Sequence, residues 1–329
     1  MFGTTLALLA LPLLVTTYAP LVDFPNHLAR TALIARFDDV PHVSQNFMRA
    51  YAPIPNLAVD LIVVPLHSIV GTVAAGKSFL LIALALHALG CHMFSRAVHR
   101  KATYAALPLL ATFYSSAFLY GFVNYCFGFA LFMIATAVWL RFRERWTFAR
   151  YLIVAVLVVA AFLSHLSSFA FIGVAWLTFV CVDVTRKRIT LLRATADLSM
   201  LGVGVLLMVT FMTSDGTVGT IEWNTLAGKA LTFLAPFLSY NYPLDAVYVG
   251  GLVALLALLL WRGRLTSFDD RAVAAGIAMI IATLATPRVL FTSAGADARW
   301  VLPAFAMLVV AGQWHLDRTW TPRLVAGFV

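Results

Sequence analysis

The chain has 329 residues, 62% of them hydrophobic and 11% charged, with a mean hydropathy of +0.92. Soluble domains carry about a quarter charged residues, so this composition excludes a soluble domain with one anchor and reads as a polytopic membrane protein. The net charge of +9 would suggest nucleic acid in a soluble protein, but here the basic residues flank apolar runs, which points to membrane topology and not to nucleic acid.

Residues 3–20 form an uncharged apolar run long enough to span a bilayer. The start lacks a basic n-region and no small-residue cleavage site follows, so no cleavable signal peptide is read. At the boundary comes the octapeptide DFPNHLAR, Asp23 to Arg30. Ionisable groups beside lipid cost free energy, and their default reading is a functional site. With Asp23 as helix cap and Pro25 in the first turn, Asp23, His27 and Arg30 fall at i, i+4 and i+7. A carboxylate, an imidazole and a guanidinium then share one helical face. Asp23 and His27 are the catalytic candidates, with Arg30 binding substrate. A divalent metal held through Asp23 stays open, as does a plain interfacial helix touching headgroups. Asp38 and Asp39 read as a solvated turn before Pro41.

Ten apolar segments are expected to span: 3–20, 77–95, 102–120, 122–140, 150–164, 166–183, 192–213, 246–261, 272–291 and 300–316. Residues 56–72 are ambiguous, being short and carrying Asp60, Pro65 and His67. The basic clusters decide: Arg96/Arg100/Lys101, Arg141/Arg143/Arg145/Arg150, Arg186/Lys187/Arg188/Arg193, Arg262/Arg264/Arg271 and Arg318/Arg323. If 56–72 lies along the surface, all five are cytoplasmic with the N-terminus inside; if it spans, all five move outside, against the positive-inside rule. The first loop, 21–76, then lies outside and carries two juxtamembrane helices, near 24–37 and 56–70. No repeat or linker divides the chain, so 1–329 reads as one transmembrane domain. LVAGFV after Arg323 looks like the start of another apolar stretch.

Other polar residues fall on the same outer side. Asn124 and Tyr125 form a short link between spans and could bind sugar hydroxyls, or simply connect. His165, in FLSHLSSF at an outer turn, is either a substrate contact or a histidine hydrogen-bonded between helices. Arg288 and Arg299 flank an outer loop where a lipid phosphate would lie, and guanidinium suits bidentate phosphate binding; the competing reading is an Asp297–Arg299 ion pair. Glu222 and Asp215 are weaker candidates. Cys91, Cys126 and Cys181 lack paired spacing and read as small core residues. No Walker loop, GxSxG or HExxH is present. GTVAAGKS (71–78) fits a P-loop only by its glycine spacing, lacks the preceding strand and falls on the outer side.

This layout resembles the GT-C superfamily of membrane glycosyltransferases, which use polyprenyl-phosphate-linked sugars. The match rests on Asp23 after the first span, the 24–37 and 56–70 segments with PNLAVDLIVVPL (55–66) as a proline-led second juxtamembrane helix, and ARWVLPAF (298–305) as an Arg-containing late span. DFPNHLAR itself is similar to the motif of a bacterial branch of polytopic proteins related to that superfamily. The resemblance implies an all-α bundle of about ten transmembrane helices in the bacterial inner membrane, with its active site on the non-cytoplasmic, periplasmic face. It implies an inverting transfer of sugar from a polyprenyl-phosphate donor to a lipid or glycan acceptor, with Asp23 as base and Arg299 or Arg288 on the leaving phosphate. The acidic pair often seen after the first span is a single Asp here, which leaves metal dependence open. The alternatives are a transporter or flippase of a lipid-linked glycan and a scaffold protein.

Overall fold

A chain this apolar must satisfy its backbone internally, and it does so almost entirely as helix. The structure, a computed structural model, describes residues 2–48, 52–100, 105–211, 219–239, 241–261, 265–290 and 293–314. Arg49, Lys101, Asp215, Arg262, Arg264, Arg318, Arg323 and the terminal LVAGFV lie outside the described residues. In chain order the helices are α1 (Phe2–Val15), α2 (Phe24–Ala35), α3 (Pro41–Asn46), α4 (Ala58–Val70), α5 (Thr72–His99), α6 (Ala106–Ala111), α7 (Ser116–Leu119) and α8 (Val123–Phe142). There follow α9 (Phe148–Ser164), α10 (Leu166–Thr185), α11 (Leu191–Leu198), α12 (Leu201–Phe211), α13 (Leu226–Thr232), α14 (Tyr242–Trp261), α15 (Asp270–Ala285) and α16 (Val301–Ala311). Short strands β1 (Ile221–Glu222), β2 (Leu265–Phe268), β3 (Val289–Leu290), β4 (Ser293–Ala294) and β5 (Gly312–Trp314) form two antiparallel sheets, β1-β3-β4 and β2-β5.

Among the described residues, α5, α8 and α10 are long and apolar enough to cross a membrane, and the α11–α12 pair, bent by 50°, makes a fourth. Several of the other expected spans are shorter as helices. The first stops at Val15, well before residue 20, and Thr16 Oγ1 bonds the Pro12 carbonyl there. The 102–120 segment breaks into α6, a 3-10 turn at Thr112–Tyr114 and α7. The segment expected at 272–291 leaves the helix at Ala285 and enters a β-hairpin. Helices do form at both expected positions in the first loop, as α2 and α4. Cys91 and Cys126 are buried as expected, but Cys181 is exposed.

The core is built around α8, which is apolar all round and buried along nearly its whole length. α5 runs beside it in the same direction. Phe79 stacks on Phe127 at 5.2 Å, and Phe94 meets Phe132 edge-on at 6.1 Å. Close approach depends on Gly90, where a Cβ would lie 3.0 Å from the Ala130 carbonyl. On the other flank Trp139 stacks against Trp176 of α10 at 4.8 Å.

At the Phe142 end of α8 a buried ionic network ties α8, α10 and α11 together and reaches α15 through an exposed pair. Arg143 reaches Asp183 of α10 at 2.8 Å and Asp197 of α11 at 2.9 Å, with its guanidinium 4.4 Å from the Trp139 ring. Trp146 donates to Asp197, Arg193 pairs with it at 3.2 Å, and Arg188 forks onto Asp270. The basic clusters that sequence offers only as topology signals therefore also neutralise buried carboxylates. Removing one partner of such a pair leaves an uncompensated charge in low dielectric. Arg143→Ala is expected to lose about 3–5 kcal/mol of stability, measured by unfolding in detergent; an unshifted transition would show that Arg188 and Arg193 alone satisfy the two aspartates.

Candidate functional site

The site is organised by the corner Gly121–Tyr125 that leads into α8. The segment after α1 docks there through two backbone bonds, Val22 N–H to the Leu119 carbonyl (3.1 Å) and Asp23 N–H to the Tyr120 carbonyl (3.0 Å). Gly121 has φ +84°, and a Cβ on it would sit 2.6 Å from the Asp23 nitrogen. Glycine alone allows both the turn and the contact.

Asp23 thus enters α2 in a fixed place, with its side chain 41% exposed. The expected cap does not form. Asp23 has helical backbone angles (φ −94°, ψ −7°) and no side-chain capping bond, because its carboxylate instead accepts from Asn26 Nδ2 at 2.8 Å and lies 3.5 Å from His27 Nε2. Desolvation lowers the His27 pKa against the pull of Asp23 and Asp60, which favours a neutral imidazole beside the carboxylate.

Arg30 looks elsewhere. It pairs at 2.7 Å with Asp60 in the first turn of α4. Burial raises the Asp60 pKa and Arg30 pulls it back down. Asp60 was visible in sequence only as an anomaly, a carboxylate at the head of an apolar segment. Paired with Arg30, it locks α2 to α4. Asp38 lies in the turn after α2.

Asn124 and Tyr125, expected to meet sugar, serve the fold. The Asn124 side chain, buried, accepts from the Val59 N–H at 2.9 Å and donates to the Asn56 carbonyl at 3.1 Å, holding the head of α4. Tyr125 is buried, donates its hydroxyl to the Arg299 carbonyl at 2.9 Å and meets the His165 ring edge-on at 5.6 Å. His165 stands between α9 and α10, where its Nδ1 caps α10 by accepting from the Ser167 N–H at 3.1 Å. Burial, helped by the Arg299 charge, pushes its pKa down to about 3. It is neutral, with its proton on Nε2.

Arg299 is placed by this same corner. Its guanidinium lies 5.9 Å from the Phe122 ring and donates to Ser293 Oγ (2.9 Å) and the Ala294 carbonyl (3.2 Å). Its Nε is buried without a partner. The Asp297–Arg299 ion pair does not form: Asp297 is taken by Lys229 at 2.9 Å, and Lys229 also donates to the Thr283 and Thr286 carbonyls. That buried lysine, missed in sequence, fastens α13 both to Asp297 ahead of α16 and to the end of α15. Arg288 is neutralised by Glu222 at 2.8 Å across an exposed strand pair. Among the described residues no carboxylate pairs with Arg299.

Among the described residues no three His, Cys, Asp or Glu side chains come together as a metal-binding group. Comparison of the chain with protein-family models, curated proteins and solved structures found no match.

The corner can be tested at Gly121. Gly121→Ala adds a strained backbone and a clash with the Asp23 segment, so it is expected to cost more than ~1 kcal/mol and to raise the thiol reactivity of a Val22→Cys reporter. Gly173→Ala, in α10 with nothing within 4 Å of its Cβ position, is the control and should leave both unchanged. Equal behaviour of the two variants would remove the corner as the device that fixes Asp23.

Proposed function

We propose that the protein is an inverting membrane glycosyltransferase that takes a sugar from a polyprenyl-phosphate-linked donor and transfers it to a lipid or glycan acceptor. One observation carries the reading: a partly exposed carboxylate, Asp23, and an arginine without an anionic partner, Arg299, are both fixed by the single corner Gly121–Tyr125. In this reading the chain has about ten spans in a bacterial inner membrane, and the corner faces the non-cytoplasmic side. The resemblance of DFPNHLAR and the two first-loop helices to GT-C enzymes supports it, as does the charge parity of the basic clusters.

The chemistry needs a base and a cation. The acceptor hydroxyl gives its proton to the Asp23 carboxylate while its oxygen attacks the anomeric carbon. The bond from that carbon to the donor phosphate breaks, and its electron pair leaves with the phosphate oxygen. Arg299 stabilises the departing charge in a partly dry setting, where a fixed donor is worth more than in water. Neutral His27, 3.5 Å from Asp23, orients the carboxylate. Because a carboxylate is a weak base at neutral pH, positioning supplies much of the rate.

The bent α11–α12 pair favours a second reading, a transporter or flippase of lipid-linked glycans, since broken helices line transport sites. Yet α12, LGVGVLLMVTF, carries no ionisable side chain to hold a polar substrate.

Asp23→Asn keeps the oxygen that accepts from Asn26 and removes the charge. It is expected to slow transfer by about 10²–10⁴-fold with an unchanged unfolding transition, assayed with purified protein and polyprenyl-phosphate sugars. Full activity in that variant would leave the reading without its base.

Arg299→Ala is expected to weaken donor binding by about 1.5–3 kcal/mol, as for a lost charged hydrogen bond. Arg299→Lys should restore only part, because the ammonium lacks the fork. Unchanged donor affinity in the alanine variant would shift the phosphate role away from Arg299.

A further inference from the structure

A cavity of about 770 Å³ opens where the end of α5, the end of α8 and the start of α9 meet. Its place is far from the Asp23 corner: α8 has 20 residues, and at 1.5 Å per residue its two ends stand ~30 Å apart. Ligand pockets run about 300–1,000 Å³, so the volume suits a headgroup-sized molecule.

The wall chemistry is divided. Met93, Ala97, Val138 and Leu140 form an apolar part of the lining, its floor, and Arg96, Arg100, Arg141, Arg145 and Arg150 add five arginines to the same wall. Glu144 is the one carboxylate on the lining, and Arg100 takes it. Arg150 is held in place, donating to the Arg145 carbonyl at 2.8 Å with its guanidinium 5.3 Å from the Phe142 ring. Arg96 and Arg141 make no ion pair among the described residues. The neighbouring arginines make a contrast: Arg143, Arg188 and Arg193 are all engaged by Asp183, Asp197 or Asp270. The basic residues at this end thus split into a set paired with aspartates and a set around a hollow in which, among the described residues, only Arg100 has a carboxylate partner.

We propose that this cavity binds the phosphate headgroup of an anionic phospholipid, with the first part of an acyl chain on the apolar floor. Basic pockets between membrane helices take anionic headgroups, and the guanidinium fork matches phosphate oxygens. The floor selects a lipid over a soluble phosphate, which would leave that surface wet. The assignment does not depend on the glycosyltransferase reading.

The test is native mass spectrometry of the purified full chain in neutral detergent, with added phosphatidylglycerol, phosphatidylcholine or inorganic phosphate. Phosphatidylglycerol should bind at least tenfold more tightly than phosphatidylcholine, and inorganic phosphate should not compete at equal concentration. The pair Arg96→Ala/Arg141→Ala should lose that preference, whereas Arg186→Ala/Lys187→Ala, with the same charge change away from the cavity, should keep it. Equal loss in both pairs would mean a diffuse basic surface and would overturn the site, as would competition by inorganic phosphate or equal binding of phosphatidylcholine. Ala97→Phe fills the floor and keeps every charge. It should also abolish the preference, and retention there would overturn the proposal even if the double variant does not fold.

Discussion

The close approach of the Asp23 backbone to Gly121 is the contact on which the candidate site depends. It is a small feature, two backbone bonds and one missing Cβ. Yet four residues of this corner reach three separate elements. Gly121 receives the entry to α2, Phe122 lies under Arg299, Asn124 holds the head of α4, and Tyr125 grips the Arg299 carbonyl. Since Asn124 and Tyr125 lie in the first turn of the most buried helix in the bundle, their positions are as rigid as the core itself. A site on such a support is held more precisely than one borne by loops alone.

The same economy explains the opposite end. Charged groups are expensive in an apolar bundle, and several buried ones are compensated: Asp183 and Asp197 by arginines, and Asp297, just ahead of α16, by Lys229. Breaking such a pair costs more than forming it gains, so these pairs act as registers that define which helices meet. They carry no surface for a substrate. The polar groups with chemistry to offer at this corner are the ones left partly open, Asp23 and His27, and Arg299, which has no carboxylate partner among the described residues.

How much of this could be read from residues alone follows from the range of each interaction. The α2 and α4 helices are legible because a polar motif beside an apolar run and a Pro in a first turn are local signals. The Asp23–His27 contact is legible for the same reason, being one helical turn. The Arg30–Asp60 pair is not, since thirty positions separate partners on different helices, and the helical face that groups Arg30 with Asp23 says nothing of what α4 presents. Asn124 is misread because two polar residues in a short link look available until the fold shows that both ends of its amide are in use. The Asp297–Arg299 pairing is the natural guess at a spacing of two, and it fails because Lys229 arrives from α13, far back along the chain. Span lengths are misjudged where hydropathy continues past the helix: the run through residue 20 is apolar, but the helix ends at Val15.

Arg299 and His165 show why the open cation matters to its surroundings. A guanidinium with a buried, unpartnered Nε carries a desolvation cost of about 1–3 kcal/mol, and the fold tolerates it. A second positive charge nearby would compound that cost. Burial prevents this, holding the His165 pKa near 3 with Arg299 adding to the same direction, so the imidazole stays neutral and uses Nδ1 to cap α10. An anion beside Arg299 would offset the guanidinium's part of that shift, because the two charges act on His165 with opposite sign. The cluster is therefore arranged as one positive charge among neutral donors, Tyr125 and His165, and not as a balanced pair. In the proposed reaction its compensation would come from the departing phosphate.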